Sequence, residues 1–214
     1  MRVRPGSRVL LAVASAMAIP SAAIGQIVVE VGPLVALYTP VGTLNQNAVL
    51  YALPSKASDL RGVAWGAQGR VWLTPKFGVQ VQGAAASSRF GGGVVITTPG
   101  GQYVTRPIRA QVLTVSAEAL YRPVPTIVPL WVGAGAGVVR HGGDAYALFG
   151  RPSSLAGVLG LGFDTHMGRH VTAAFGITTL FYSLNFKGMG NTFDLGFRTD
   201  LLAHVALAWR SRLR

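Results

Sequence analysis

The sequence predicts an all-β fold: an eight-stranded antiparallel up-and-down transmembrane β-barrel that follows an N-terminal signal peptide. Three observations carry that expectation. Eight segments alternate between bulky apolar residues and small or polar ones, which is the period-2 signature of strands. Most are 12 residues or longer, enough for a tilted strand to cross a bilayer, which takes about 9 to 11 residues. The connections between them alternate long and short, the pattern of a spanning barrel with tight turns at one end and larger loops at the other.

Composition agrees. Of 214 residues, only 12% are charged and 50% are hydrophobic, against roughly 25% charged in an ordinary soluble domain. The 28 glycines are scattered, so neither a collagen-like nor a low-complexity reading applies. Cysteine is absent, which removes disulfide scaffolds and cysteine-based zinc sites.

The first element is "MRVRPGSRVLLAVASAMAIPSAAIGQ". Arg2, Arg4 and Arg8 make a basic start, Val9 to Ile19 an apolar core, and Pro20 a break, with small residues at Ala23-Ile24-Gly25. This is the layout of a secretory signal peptide cut before Gln26, so residues 1–25 are read as signal and 26–214 as one barrel domain. Cleavage would lower the net charge from +12 to +9 by removing those three arginines.

The strands are expected at 27–38, 61–74, 77–90, 107–122, 129–141, 153–166, 169–184 and 194–210. Short turns fall at Pro75-Lys76, at Pro123 to Val128 and at Met167-Gly168, and long connections at 39–60, 91–106, 142–152 and 185–193. In strand two Val63, Trp65, Val71 and Leu73 share one face, with Gly62, Gly66, Gln68 and Arg70 on the other. Strands six, seven and eight repeat the division, for example Leu155, Leu159 and Phe163 against Gly160, Gly162 and Asp164. The second face is glycine, alanine and serine with isolated charges. That suits the cramped lumen of an eight-stranded barrel and puts the bulky apolar face toward lipid. Strand four changes polar phase between Arg109/Gln111 and Thr114/Ser116/Glu118, which a bulge near Val112-Leu113 or a strand leaving the bilayer there would explain. The face of Trp131 is left open. Trp72, Phe77, Tyr121, Trp131 and Trp209 at one end, and Tyr38, Phe90, Phe181, Tyr182 and Phe197 at the other, are expected as interfacial girdles.

The chain resembles the small outer-membrane β-barrel families, the OmpA-like transmembrane domain and its opacity-porin-like relatives. The residues that carry the resemblance are the signal peptide, "VEVGPLVALYTP", "WLTPKFGVQVQG" and "LGLGFDTHMGRHVTAAFGITTLFY". It implies a location in the outer membrane of a Gram-negative envelope and insertion by the barrel assembly machinery. It also implies lipid and lipopolysaccharide as neighbours, and a monomer. Family members end the last strand on an aromatic residue; here "HVALAWRSRLR" places Trp209 five residues before the end.

Several constellations are candidates for chemistry. By phase, Glu30, Gln68, Arg70, Gln80, Gln82, Glu118, Asp164, Arg198 and Asp200 point into the lumen, as a plugging network or as a polar path. His166 and His170 flank a turn and are expected to face inward beside Asp164. That is a weak metal candidate, since two histidines beside a turn are common, and no metal or other cofactor is assigned. Arg61, Arg89, Arg106, Arg109, Arg140, Arg151 and Lys187 gather at the long-loop end, where they could contact lipopolysaccharide phosphates or form an ordinary charged rim. Lipid A deacylases of this size carry a His-x-Ser pair on a strand; Ser183 has Phe181 in the histidine's place, and His141 has Asp144 but no neighbouring nucleophile. "GAGAGVVRHGG" fails the spacing of a nucleotide-binding loop, with Val138 where the third glycine should stand. No enzyme activity and no nucleic-acid partner are expected. The functional expectation is a structural or surface-interaction role through the long external loops, with a narrow pore for small solutes as the alternative and a membrane lipid-modifying enzyme ranked behind it.

Overall fold

The computed structural model describes residues 27–41, 61–90, 96–97, 103–104, 108–124, 129–144, 146, 152–188 and 191–213. The segment read as a signal peptide lies outside them. Eight strands form the wall: β1 Ile27–Val41, β2 Gly62–Trp72, β3 Phe77–Phe90, β4 Ile108–Tyr121, β5 Leu130–Gly143, β6 Ser153–His166, β7 Val171–Gly188 and β8 Asn191–Leu213. Each pairs antiparallel with the next, and β8 returns to pair with β1, closing the barrel. A two-residue ladder, Ile96–Thr97 with Tyr103–Val104, lies in the β3–β4 connection.

The turns at one end are built from local polar chemistry. In the first, Thr74 Oγ1 accepts from the Lys76 and Phe77 amides at 3.2 and 2.9 Å. The Leu73 and Thr74 amides both donate to the Phe77 carbonyl, at 3.0 and 3.1 Å. Between β6 and β7 the Met167 amide donates to the Val171 carbonyl at 2.8 Å, with Gly168 at φ 91°. That left-handed backbone favours glycine.

The register sets the geometry of the barrel. Followed strand to strand, Glu30 pairs with Arg70, then Gln80, Glu118, Gly135, Val158, Leu180 and Asp200, and returns to β1 at Pro40. The path comes back ten residues along β1 from where it began, which is the stagger of the barrel. With a rise of about 3.3 Å per residue and strands about 4.8 Å apart, that stagger tilts the strands by about 40°.

Exposure inverts the order of a soluble protein. Trp65 is 66% exposed and Leu155 83%, and Val63, Val115, Leu159, Ile177 and Leu207 are also exposed. Arg70, Glu118, Asp164 and Asp200 are buried. An apolar exterior around a polar interior is the signature of a barrel that spans lipid. Among the described residues, no helix is long and apolar enough to cross a membrane.

Three sequence expectations change. First, β7 reaches Gly188 and β8 begins at Asn191, so strand pairing extends through positions the sequence reading gave to a loop from 185 to 193. One extra residue on β8 between Asp194 and Phe197 shifts the register there, with Gly196 at φ 75°. This bulge breaks the alternation on which the sequence reading relied. Second, β4 is continuous. Its register to β3 and β5 has no break at Val112-Leu113, and the even positions from Ala110 to Leu120 all face inward. Arg109 and Gln111 are polar because they stand on the outer face beyond the apolar belt. Third, four of the ten expected girdle residues are inside: Trp72, Trp131, Tyr38 and Tyr182 are buried in the lumen, where they fill space and find hydrogen bonds. Phe77, Tyr121, Trp209 and Phe197 remain on the exterior. The side chain of Phe90 lies outside the described residues.

Candidate functional site

The lumen holds two polar clusters with a band of small and aliphatic residues between them. The lower cluster, toward the short turns, centres on Asp164 of β6. One carboxylate oxygen accepts from Arg70 Nη1 at 2.6 Å and from Trp131 Nε1 at 3.2 Å, and the other accepts from Arg122 Nη2 at 2.6 Å. Arg70 Nε donates to Gln80 Oε1 at 2.5 Å. Gln80 Nε2 in turn donates to Gln82 at 3.2 Å and to Glu118 at 3.4 Å, and Ser116 also donates to Glu118. Both guanidiniums lie over indole faces: Arg70 is 4.6 Å from the Trp131 ring and Arg122 is 3.8 Å from that of Trp72. Cation–π contact of this kind adds to an ion pair where water is excluded. Glu30 completes the cluster, accepting from Trp72 Nε1 and Thr172 Oγ1 at 3.3 Å each, with Arg210 Nε 3.7 Å away.

The glycine-rich face explains how an indole fits into so narrow a bore. A Cβ at Gly162 would run into the Trp131 ring, and one at Gly160 or Gly176 would crowd it while striking Glu118 or His204. The glycines of β6 and β7 therefore form the cradle for Trp131, whose side faces the sequence left open.

The upper cluster, toward the long connections, centres on Asp200 of β8. Its Oδ2 accepts from Tyr38 at 2.6 Å and from Tyr182 at 2.7 Å. The Tyr182 hydroxyl also lies 3.2 Å from His141 Nε2, and the His141 ring packs 5.0 Å from that of Tyr146. Arg198 is buried within electrostatic reach of Asp200 and His141.

All nine residues assigned to the lumen by phase, from Glu30 to Asp200, are buried. Six of them, Arg70, Gln80, Gln82, Glu118, Asp164 and Glu30, fall in the lower cluster. Asp200 and Arg198 fall in the upper one, and Gln68 lies on the same face of β2 as Arg70. Arg122, Tyr38, Tyr182 and Trp72 complete the clusters and were missed. Yet Arg122 shares the phase of Glu118, and Tyr38 that of Glu30, so alternation carried a few residues further finds both.

The histidine pair does not form. His166 is exposed, with Nδ1 3.3 Å from Thr172 Oγ1 and Nε2 3.0 Å from Arg210 Nη1. His170 is outside, stacked on Trp209 at 5.1 Å. Asp164 is turned inward onto two arginines, so the three do not converge, and among the described residues no cluster could hold a metal ion. The turn runs from Met167 to His170; the His170 carbonyl still accepts from the Arg210 amide at 2.7 Å, but its ring turns out onto Trp209 before the alternation of β7 begins at Val171. Ser183 points outward and His141 inward, on opposite sides of the wall. At the outer rim Arg61, Arg109 and Arg140 are exposed. Arg106 and Arg151, and the side chains of Arg89 and Lys187, lie outside the described residues.

A scan against protein-family models finds no match, and a search of curated proteins finds none either. Solved structures do match. The chain is similar to the outer membrane protein OprG from Pseudomonas aeruginosa, at 10% identity and a TM-score of 0.50, over 89% of this chain and 98% of that one. It is similar to Neisserial surface protein A at 11% identity and a TM-score of 0.51, over 88% and 99%. The chain thus has the fold of the small eight-stranded outer-membrane β-barrels.

Proposed function

We propose that this protein resides in the outer membrane as a closed barrel and acts through its outer surface, in a structural or surface-interaction role, rather than as an open channel. The observation that carries the reading is that hydrogen bonds cross the lumen from wall to opposite wall. Arg70 on β2 reaches Asp164 on β6, and Gln82 on β3 donates to Thr178 on β7 at 3.0 Å. In a ring of eight, strands four apart are diametrically opposed, so both contacts bridge the full bore. Ions would have to break them to pass. Outer-membrane lipid, lipopolysaccharide and, during insertion, the barrel assembly machinery are the partners of this reading, and the barrel acts as a monomer.

A narrow pore is the second reading. It is favoured by polar atoms that lie buried without a partner among the described residues, including Gln68 Oε1, Arg70 Nη2 and Glu118 Oε2. Planar-bilayer recording separates the two. The closed barrel predicts no stepwise conductance above leak. A discrete conductance that changes with Arg70→Ala or Glu118→Ala would replace it with the pore.

A further inference from the structure

We propose that the outer face of β3, β4 and β5 carries a defined site for the phosphorylated headgroup of lipopolysaccharide, gripped by Arg109 and Arg140. The proposal rests on the outer-membrane reading above and narrows its lipid contacts to one place on the wall.

Position is the first argument. On the exterior of β4 the exposed residues from Tyr121 to Leu113 form an apolar belt. Eight residues at about 3.3 Å each, tilted by about 40°, span about 20 Å along the barrel axis, close to the height of a lipid-facing band. The belt ends there. Gln111 and Arg109 follow on β4, and Arg140 on β5 is the register partner of Leu113, the last apolar residue. Both arginines thus stand where hydrocarbon gives way to headgroups, on the face that touches lipid.

Shape is the second. A cavity of about 650 Å³ opens between them, with Ala85, Ser87 and Gly142 among its lining. These small residues leave a hollow in a wall that elsewhere carries Val, Leu and Phe. Arg109 lies four residues beyond the partner of Arg140 and one strand over, which separates the two positions by about 14 Å.

Charge is the third. Arg109 and Arg140 both border the cavity and both are exposed, which puts two positive charges on its rim. Neither Arg109 nor Arg140 is ion-paired with a carboxylate among the described residues. Asp144 borders the cavity and offsets part of the positive charge. A bound phosphate would neutralise these charges, and a guanidinium fork matches its geometry.

The test uses the chain refolded in detergent micelles, with folding verified by heat-modifiable gel migration. Binding of bisphosphorylated lipid A is titrated beside that of the same lipid enzymatically dephosphorylated. The expected result is at least a tenfold preference for the phosphorylated form. Arg109→Gln and Arg140→Gln should each erase most of that preference, while Lys76→Gln, exposed in a turn at the opposite end of the barrel, changes it less than twofold. Equal binding of the dephosphorylated lipid, or an Arg109→Gln/Arg140→Gln variant with unchanged affinity, overturns the proposal. Full competition by inorganic phosphate or by phosphatidylglycerol would also overturn it, showing a general anion or phospholipid site. Should a glutamine variant fail to fold, the two-lipid comparison on the unaltered protein decides alone. Membrane fractionation tests the location separately, so a barrel found in the outer membrane without lipid A selectivity refutes this site only.

Discussion

Asp164→Asn removes one negative charge from the centre of the lower cluster and leaves the side chain's shape almost unchanged. In the native barrel that carboxylate meets Arg70 and Arg122 at 2.6 Å each, and neither the Asp164 nor the Arg70 side chain is accessible to solvent. An amide can still accept a hydrogen bond from one guanidinium, but its nitrogen side faces the other. Two buried cations then share an interior with one fewer counter-charge. Removing one member of a buried pair costs about 3–5 kcal/mol. At about 1.4 kcal/mol per tenfold, the unfolding equilibrium should shift by roughly two to four powers of ten. Arg122 keeps its contact with the Trp72 ring and a partly open path to water, which places the loss at the lower end. The assay is reversible urea unfolding in lipid vesicles followed by tryptophan fluorescence, since Trp131 and Trp72 both sit in this cluster. A companion variant, Arg70→Met with Asp164→Leu and Arg122→Met, takes out the charges together and should recover most of the stability, because no cation is left unpaired. A loss below about 1 kcal/mol for Asp164→Asn, or a triple variant no more stable than the single one, would refute the reasoning.

Two further perturbations probe the wall and the upper cluster. Leu159→Arg places a charge midway along β6 on its lipid-facing side, where it should cost about 2–4 kcal/mol in the same unfolding assay; a neutral result would mean that this face does not meet hydrocarbon. Tyr182→Phe deletes the hydroxyl that donates to Asp200 at 2.7 Å and should cost about 1.5–3 kcal/mol, as expected for a hydrogen bond to a charged group, with the heat-modifiable gel shift retained.

Alternation made most of this fold legible. Bulky and small residues exchange places so regularly in β2, β3 and β6 that strand, phase and lipid side can all be read at once, and the lumen set from Glu30 to Asp200 follows from that phase. Legibility fails where a side chain is chosen for something other than the face it occupies. Arg109 and Gln111 look inward-facing on a polarity scale, but they are outward residues that have left the apolar belt. Trp72, Trp131, Tyr38 and Tyr182 look like interfacial anchors, but their polar edges donate to Glu30, Asp164 and Asp200 inside the bore. An aromatic ring with a hydrogen-bonding tip suits either place equally well. Which one it takes depends on a cavity made by glycines on other strands, as for Trp131, and no local pattern records that. The extra residue near Gly196 hid the length of β8 for the same reason: one insertion inverts the faces beyond it.

The diametric contacts bear on how the barrel answers to force. A thin-walled tube resists stretching around its circumference far better than it resists being squashed into an ellipse, since flattening only bends the wall. The wall here is a single sheet whose ladder bonds act as hoops. Arg70 with Asp164 and Gln82 with Thr178 act as spokes, joining β2 to β6 and β3 to β7. Because the two diameters lie about 45° apart, any flattening must change the length of at least one of them. Lateral pressure from the surrounding bilayer is therefore met by struts as well as by the rim. A barrel stripped of these two contacts should keep its strands and its closure while its cross-section fluctuates more widely, a change that hydrogen exchange along β2 and β6 would report.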